Sequence, residues 1–363
     1  MKKRYYFMDV IRIVSMLAIV FYHMFFSLYQ TGIRQLDSVS FMFQTKNMHI
    51  ATVGVGLFFM ISGAGLMYSS MHKENFSLKD YYKKRVLKIL VPFYLVYVLW
   101  LITFMILTKQ GPSAVYNHGT PVTSIIYTLL GMDAYLATFG VNTFSLGIGE
   151  WFLGALVMMY IVFPLIRKAM LKNKWITLLI ATIYFIIIVI IYPLFPFAKE
   201  GPGYVPGFTN FLCKIYEFVL GMFLITIVDR IPQWFCLVVS IPITCVSLFC
   251  PIALFPSYNS VWILVQNVGF FLLFMGLEKV FRKLPRLMKA LAILAGFSYE
   301  FFLIHHVVID YITLQHSGVP FSNTQILMLF IKEFVIISVL TILVKCILGL
   351  PSFIKKRRSR AKA

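Results

Sequence analysis

The chain has 363 residues, 60% of them hydrophobic and only 13% charged, with a net charge of +20 at pH 7 and a mean hydropathy of +0.86. That balance excludes a soluble globular domain, because nearly all the mass lies in runs long enough to cross a bilayer, where ~20 apolar residues suffice. The basic surplus does not indicate nucleic acid, since the charges sit in short loops between apolar runs, as membrane topology requires.

Ten runs read as spanning helices: residues 8–29, 48–70, 87–108, 148–166, 175–194, 209–228, 233–254, 258–278, 289–314 and 325–348. The first carries Asp9, Arg12 and His23 among apolar neighbours. Arg12 and His23 are eleven residues apart, which puts them within roughly 20° on one helix face and ~16 Å apart along the axis. Asp9 lies one turn before Arg12 and is placed to pair with it. A charge in hydrocarbon costs at least ~2.5 kcal/mol, so these groups should face protein or a water-filled cavity. Two readings stay open from the helix alone. One is a functional polar stripe; the other is Arg12 snorkelling to the interface and His23 packed as a neutral ring.

The second run opens Gly54-Val-Gly56-Leu-Phe-Phe-Met-Ile-Ser62-Gly63. No strand precedes it, so a nucleotide loop fits poorly, and small residues that let helices approach closely explain it better. The mouth of the third run, Tyr81 to Tyr94, holds Lys83, Lys84, Arg85 and Lys88, then Pro92. Most of this is ordinary loop charge, but Arg85 and Lys88 face the same way and suit a phosphorylated ligand. Residues 109–147 form the one long loop, whose apolar part, Pro121 to Gly140, either lies at the surface or dips in. The fourth run begins Glu150-Trp151-Phe152-Leu153, where Glu150 is either solvated or lines a cavity.

The ninth run holds Ser298, Tyr299, Glu300, His305, His306 and Asp310, all costly in a membrane. His306 and Asp310 are one turn apart, but adjacent histidines point about 100° apart and no further ligand is spaced to close a site. A hydrogen-bonded polar core is the expectation here, and no metal. None of the five cysteines forms a CxxC pair, so neither a disulfide framework nor a zinc site is indicated.

Lys and Arg set the orientation. Alternate loops and the termini carry basic clusters (Lys83 to Arg85, Arg167 and Lys168, Arg282 and Lys283, Lys355 to Arg358), whereas the intervening loops hold only Arg34, Lys46, Lys109 and Lys199. The expected fold is therefore an all-α polytopic membrane protein of about ten transmembrane helices with both termini cytoplasmic. Residues 1–350 form the membrane domain and 351–363 a basic cytoplasmic tail.

These landmarks, in this order, resemble acyltransferase family 3, over almost the whole chain from Arg4 to about Leu350. The resemblance rests on Arg12-x10-His23, the Gly-Val-Gly-Leu-Phe-Phe-x-Ile-Ser-Gly run at 54–63, the basic mouth ending in Pro92, Glu-Trp-Phe-Leu at 150–153 and Ser-Tyr-x-x-x-Leu-x-His at 298–305. It implies O-acylation, most simply O-acetylation, of an extracytoplasmic cell-surface carbohydrate such as exopolysaccharide, with acetyl-CoA or another acyl-CoA as donor substrate and no permanently bound cofactor. It also implies a bacterial cytoplasmic membrane as the location and a glycan or lipid-linked sugar as the acceptor. The family usually has Arg-x-x-Arg at the third helix; here it is Arg85-Val-Leu-Lys88, which keeps the charge and loses one bidentate fork. On this resemblance His23 is the catalytic base or transient acyl carrier, Arg12 and Glu150 assist, and His305, Tyr22, Ser298 or Tyr299 supplies hydrogen bonds to the oxyanion. Arg85, Lys88 and Arg12 would hold the donor. Two other classes compete: an exporter of polysaccharide intermediates, and a non-catalytic scaffold of a glycan-synthesis complex.

Overall fold

The structure is a computed structural model that describes residues 3–109, 120–144, 147–194, 207, 209–255 and 259–360. Helices occupy each of the ten apolar stretches: α1 (Phe7–Gln30), α2 (Ile50–Ser70), α3 (Leu78–Thr108), α4 (Glu150–Lys172), α5 (Lys174–Ile191), α6 (Phe211–Ile227), α7 (Gln233–Phe249), α8 (Ser260–Gly276), the pair α9 (Pro285–Ala295) and α10 (Ser298–Leu314), and α11 (Asn323–Arg360). No strand occurs among the described residues. Among the described residues, seven helices are long and apolar enough to cross a membrane, eight if the bent pair α9–α10 counts as one span. The helices α6 and α7 have 17 residues each, or about 26 Å, at the short limit for a span.

The ninth stretch is not the single span expected over 289–314. It breaks at Gly296 and Phe297 with a 57° bend. Glycine is a poor helix former, and local bonds replace the ladder there. The Gly296 and Phe297 N–H groups donate to the carbonyls three residues back, and the Ser298 hydroxyl donates to Ala295 O at 2.9 Å. The third helix also starts nine residues before its apolar run. The Ser77 hydroxyl caps it by accepting from Asp80 N–H, so Arg85 and Lys88 are held on a regular helix. The helix α11 runs on to Arg360, carrying the start of the basic tail as helix; residues 361–363 lie outside the described residues.

Close packing explains the glycines of α2. A Cβ at Gly63 would lie 2.1 Å from Phe218 O, and one at Gly221 on α6 would lie 1.9 Å from Met60 O. The two backbones touch, as small residues permit. Gly56 likewise leaves room for Asn267 of α8, whose amide donates to Glu217 Oε1, itself paired with Lys214 at 2.7 Å. The helix α1 packs against α2, α9 and α10 at the centre, whereas α5 turns Ile176, Ile180, Ile183 and Ile187 outward, as a lipid-facing helix must.

The described part of the long loop, residues 120–144, packs against the bundle while Val122, Ile125, Ile126 and Leu129 stay exposed. Its short helix Asp133–Ala137 packs on α4, with Tyr135 seated over Gly154 and its hydroxyl accepting from Phe211 N–H at 3.1 Å. Tyr97 and Tyr94 of α3 donate to Phe144 O and Leu129 O in the same segment. This packing fixes where α4 begins, and so where Glu150 sits.

Candidate active site

Glu150 is the first residue of α4 and follows the turn Gly147-Ile148-Gly149. Both glycines have positive φ (+73° and +75°), and so does Glu150 itself (+44°). A side chain in that region costs about 1–3 kcal/mol and persists only where the surroundings enforce it. The Leu153 side chain, packed under Gly149, and the docked loop supply the enforcement.

The carboxylate that this turn presents meets two imidazoles. Glu150 Oε1 lies 3.3 Å from His23 Nε2 and 3.4 Å from His305 Nε2. His305 is fully buried, and its Nδ1–H donates to Phe302 O at 2.6 Å, which turns Nε2 towards Glu150. The His23 ring also packs edge-on against His305, His306 and Tyr22, with centroids 5.1, 4.7 and 4.9 Å away. His306 Nδ1 in turn lies 3.5 Å from Asp310 Oδ2. Three of the four expected catalytic side chains, His23, Glu150 and His305, are thus brought together from α1, α4 and α10.

The sequence offered no ligand to complete a metal site beside His306 and Asp310. The fold instead gathers donor atoms of His23, Glu150 and His305 within 4.8 Å of one another. Two imidazoles and a carboxylate form a donor set that suits a zinc-like ion. The same set suits proton transfer, with Glu150 holding one ring nitrogen of His23 and leaving Nδ1 as the basic lone pair.

Arg12, the fourth expected catalytic residue, stands apart from this cluster. Its partner Asp9 is held at 2.7 Å by Arg4 and only 3.4 Å from Arg12, which is one-third exposed. Arg12 lines a cavity of about 970 Å³ together with Arg85, Lys88 and Lys345, and Glu300 is the only carboxylate among the described residues that line it. The expected donor-binding residues therefore share one cavity. Arg85 also lies over the rings of Tyr81 and Tyr160, 5.9 and 5.8 Å from their centroids. Phe58, Phe152 and Phe302 line the same cavity, and the Phe302 ring packs 5.5 Å from that of His305. A phenylalanine layer thus stands between the cationic cavity and the histidine cluster.

Two expected oxyanion donors are engaged elsewhere. The Ser298 hydroxyl donates to Ala295 O and the Tyr299 hydroxyl to Ile89 O, both at 2.9 Å. Sequence reasoning missed Lys345, whose ammonium pairs with Glu300 at 2.7 Å. A lysine inside the tenth apolar run was the available signal.

The helical bundle thus sets a buried histidine–carboxylate cluster and a cationic cavity along the same central helix, α1. The profile of a family described as an acyltransferase domain matches residues 5–350, nearly the whole chain. The chain belongs to this family, acyltransferase family 3, and is a membrane acyltransferase. No curated protein and no solved structure matches it.

Proposed function

We propose that this protein moves an acyl group, most simply acetyl, from acyl-CoA to a hydroxyl of a cell-surface carbohydrate across a bacterial cytoplasmic membrane. The observation that carries this reading is the placement of His23 and Arg12 on one face of α1. His23 meets the carboxylate of Glu150, and Arg12 opens into the cationic cavity.

In this reading the phosphates of the donor rest on Arg85, Lys88 and Arg12, on the side of the membrane that holds both termini. The thioester arm reaches past the phenylalanines towards His23. The spacing of ~16 Å along α1 suits a donor whose charged and reactive ends are far apart. A sugar hydroxyl enters from the other side. His23 Nδ1 takes its proton as the oxygen attacks the thioester carbonyl, Glu150 supports the imidazolium that forms, and the tetrahedral intermediate collapses with cleavage of the C–S bond. His23 then returns the proton to the departing thiolate, leaving an ester and free coenzyme A. His305, fixed by Phe302 O, packs against Glu150 from the far side.

The reading is tested by measuring alkali-releasable acyl groups on purified surface glycans. Cells would express the wild type, His23→Ala at matched abundance, or neither. Esters restored by the wild type alone support acyl transfer through His23. Equal restoration by both proteins would remove His23 from the chemistry, and sugar export without esters would favour the exporter.

A further inference from the structure

The cavity holds one charge pair that donor binding, as proposed above, leaves unexplained. Lys345 reaches in from α11 and Glu300 from the first turn of α10, and they meet at 2.7 Å. Glu300 is 4% exposed and its second oxygen, Oε2, is buried without a hydrogen-bond partner. Lys345, by contrast, is 40% exposed at its side chain, and both residues line the cavity.

The surroundings are one-sided. Arg12 from α1, Arg85 and Lys88 from α3, and Lys345 itself face the space, and among the described residues Glu300 is the sole carboxylate lining it. Lys88 lies within electrostatic range of Arg85, Arg12 and Lys345. Four cations around one cavity repel one another, and a polyanion relieves that repulsion where a neutral ligand does not. Burying an ion pair is seldom a net gain in stability, and the best-attested use of such pairs is as a switch.

We propose that Lys345 is a fourth phosphate-binding cation and that Glu300 is its resident counter-ion, which the phosphorylated end of the donor displaces. The carboxylate occupies Lys345 in the empty cavity and competes with the incoming phosphate for the same ammonium. Glu300 therefore weakens donor binding, and it does so only through Lys345. This inference rests on acyl-CoA being the donor and adds a residue from the tenth stretch to the binding site, together with a built-in competitor.

The test is a two-by-two set of full-length proteins in lipid nanodiscs: wild type, Glu300→Gln, Lys345→Gln and the double variant, each titrated calorimetrically with coenzyme A. Glu300→Gln is expected to tighten binding about tenfold and Lys345→Gln to weaken it about tenfold, the scale of one charge-assisted hydrogen bond. In the Lys345→Gln background, Glu300→Gln should change Kd by no more than about twofold, because the competition has lost its object. Tightening of the same size in both backgrounds would mean that Glu300 repels the ligand generally, and would overturn the exchange. A Glu300→Gln protein that binds no tighter than the wild type overturns it as well, whether or not Lys345→Gln folds. Absence of coenzyme A binding by the wild type is a different failure, since it removes the acyl-CoA reading itself.

Discussion

His23 and Glu150 belong to helices far apart in the chain, yet Nε2 of one lies 3.3 Å from Oε1 of the other. The carboxylate reaches that position from a residue with left-handed backbone (φ +44°). Strain and the proposed function therefore coincide at Glu150, which makes the residue a test of both. Glu150→Gln should lower kcat by about 10²-fold, because a neutral amide no longer supports the His23 imidazolium. Glu150→Gly should be as inactive yet more stable by about 1 kcal/mol, since glycine accepts that φ without strain. Melting of the purified proteins checks this, and a less stable Glu150→Gly would show that the turn is not strained.

The cationic cavity predicts a division of labour. Arg85→Ala should raise KM for acyl-CoA about tenfold and leave kcat within about twofold, because its phosphate contacts are made before and during the reaction alike. Lys88→Arg restores a planar fork on the same helix face, one turn from Arg85, and should lower KM or leave it unchanged. Initial rates over a range of donor concentrations separate the two constants. A fall in kcat alone for Arg85→Ala would place that residue in the chemistry.

Asp133, on the loop helix that docks against α4, gives a pH signature outside the spans. Burial pushes its carboxyl up to about 6. In the unfolded chain the group titrates near ~3.9, so between ~4 and about 6 the fold binds more protons. The stability contributed by the neutral form is present below ~4 and lost as pH rises through about 6. Asp133→Asn, neutral at every pH, should raise Tm by about 2 °C at pH 7.5 and by nothing near pH 4. A gap that does not change with pH would assign the effect to packing.

The contact between α2 and α6 allows no side chain. Gly63→Ala or Gly221→Ala should destabilise the bundle by about 3 kcal/mol or more, because each new methyl would collide with backbone oxygen at 2.1 or 1.9 Å. Size-exclusion profiles of solubilised protein read the outcome. A monodisperse, fully active Gly63→Ala protein would contradict the packing described here.

The shared face of Arg12 and His23 on α1 was legible from their spacing, whereas the helix alone left open whether that face is functional. The pairing of Glu150 with His23 was anticipated only through the resemblance, not from the spacing of residues. It depends on the packing of residues 133–137 on α4 and on a positive φ at Glu150 that no pattern of residue types announces. The break at Gly296 was masked by hydropathy, which runs on smoothly through the bend. Lys345 was visible as a charge in the tenth run, but its partner Glu300 lies on another helix, and only packing brings the two together. The early start of α3 was hidden for the opposite reason: residues 78–86 are too polar to count towards an apolar run, although they are helical.

The central claim is that His23 passes the proton in an acyl transfer fed from the cationic cavity. The most direct measurement is a single turnover of radiolabelled acetyl-CoA with the purified protein in vesicles that contain surface glycan, at several pH values and with or without a metal chelator. The account predicts label on the glycan for the wild type in both conditions, and a loss of about 10³-fold for His23→Ala with donor binding intact. Label transferred equally well by His23→Ala, or a wild-type rate abolished by the chelator and restored by zinc, would contradict it.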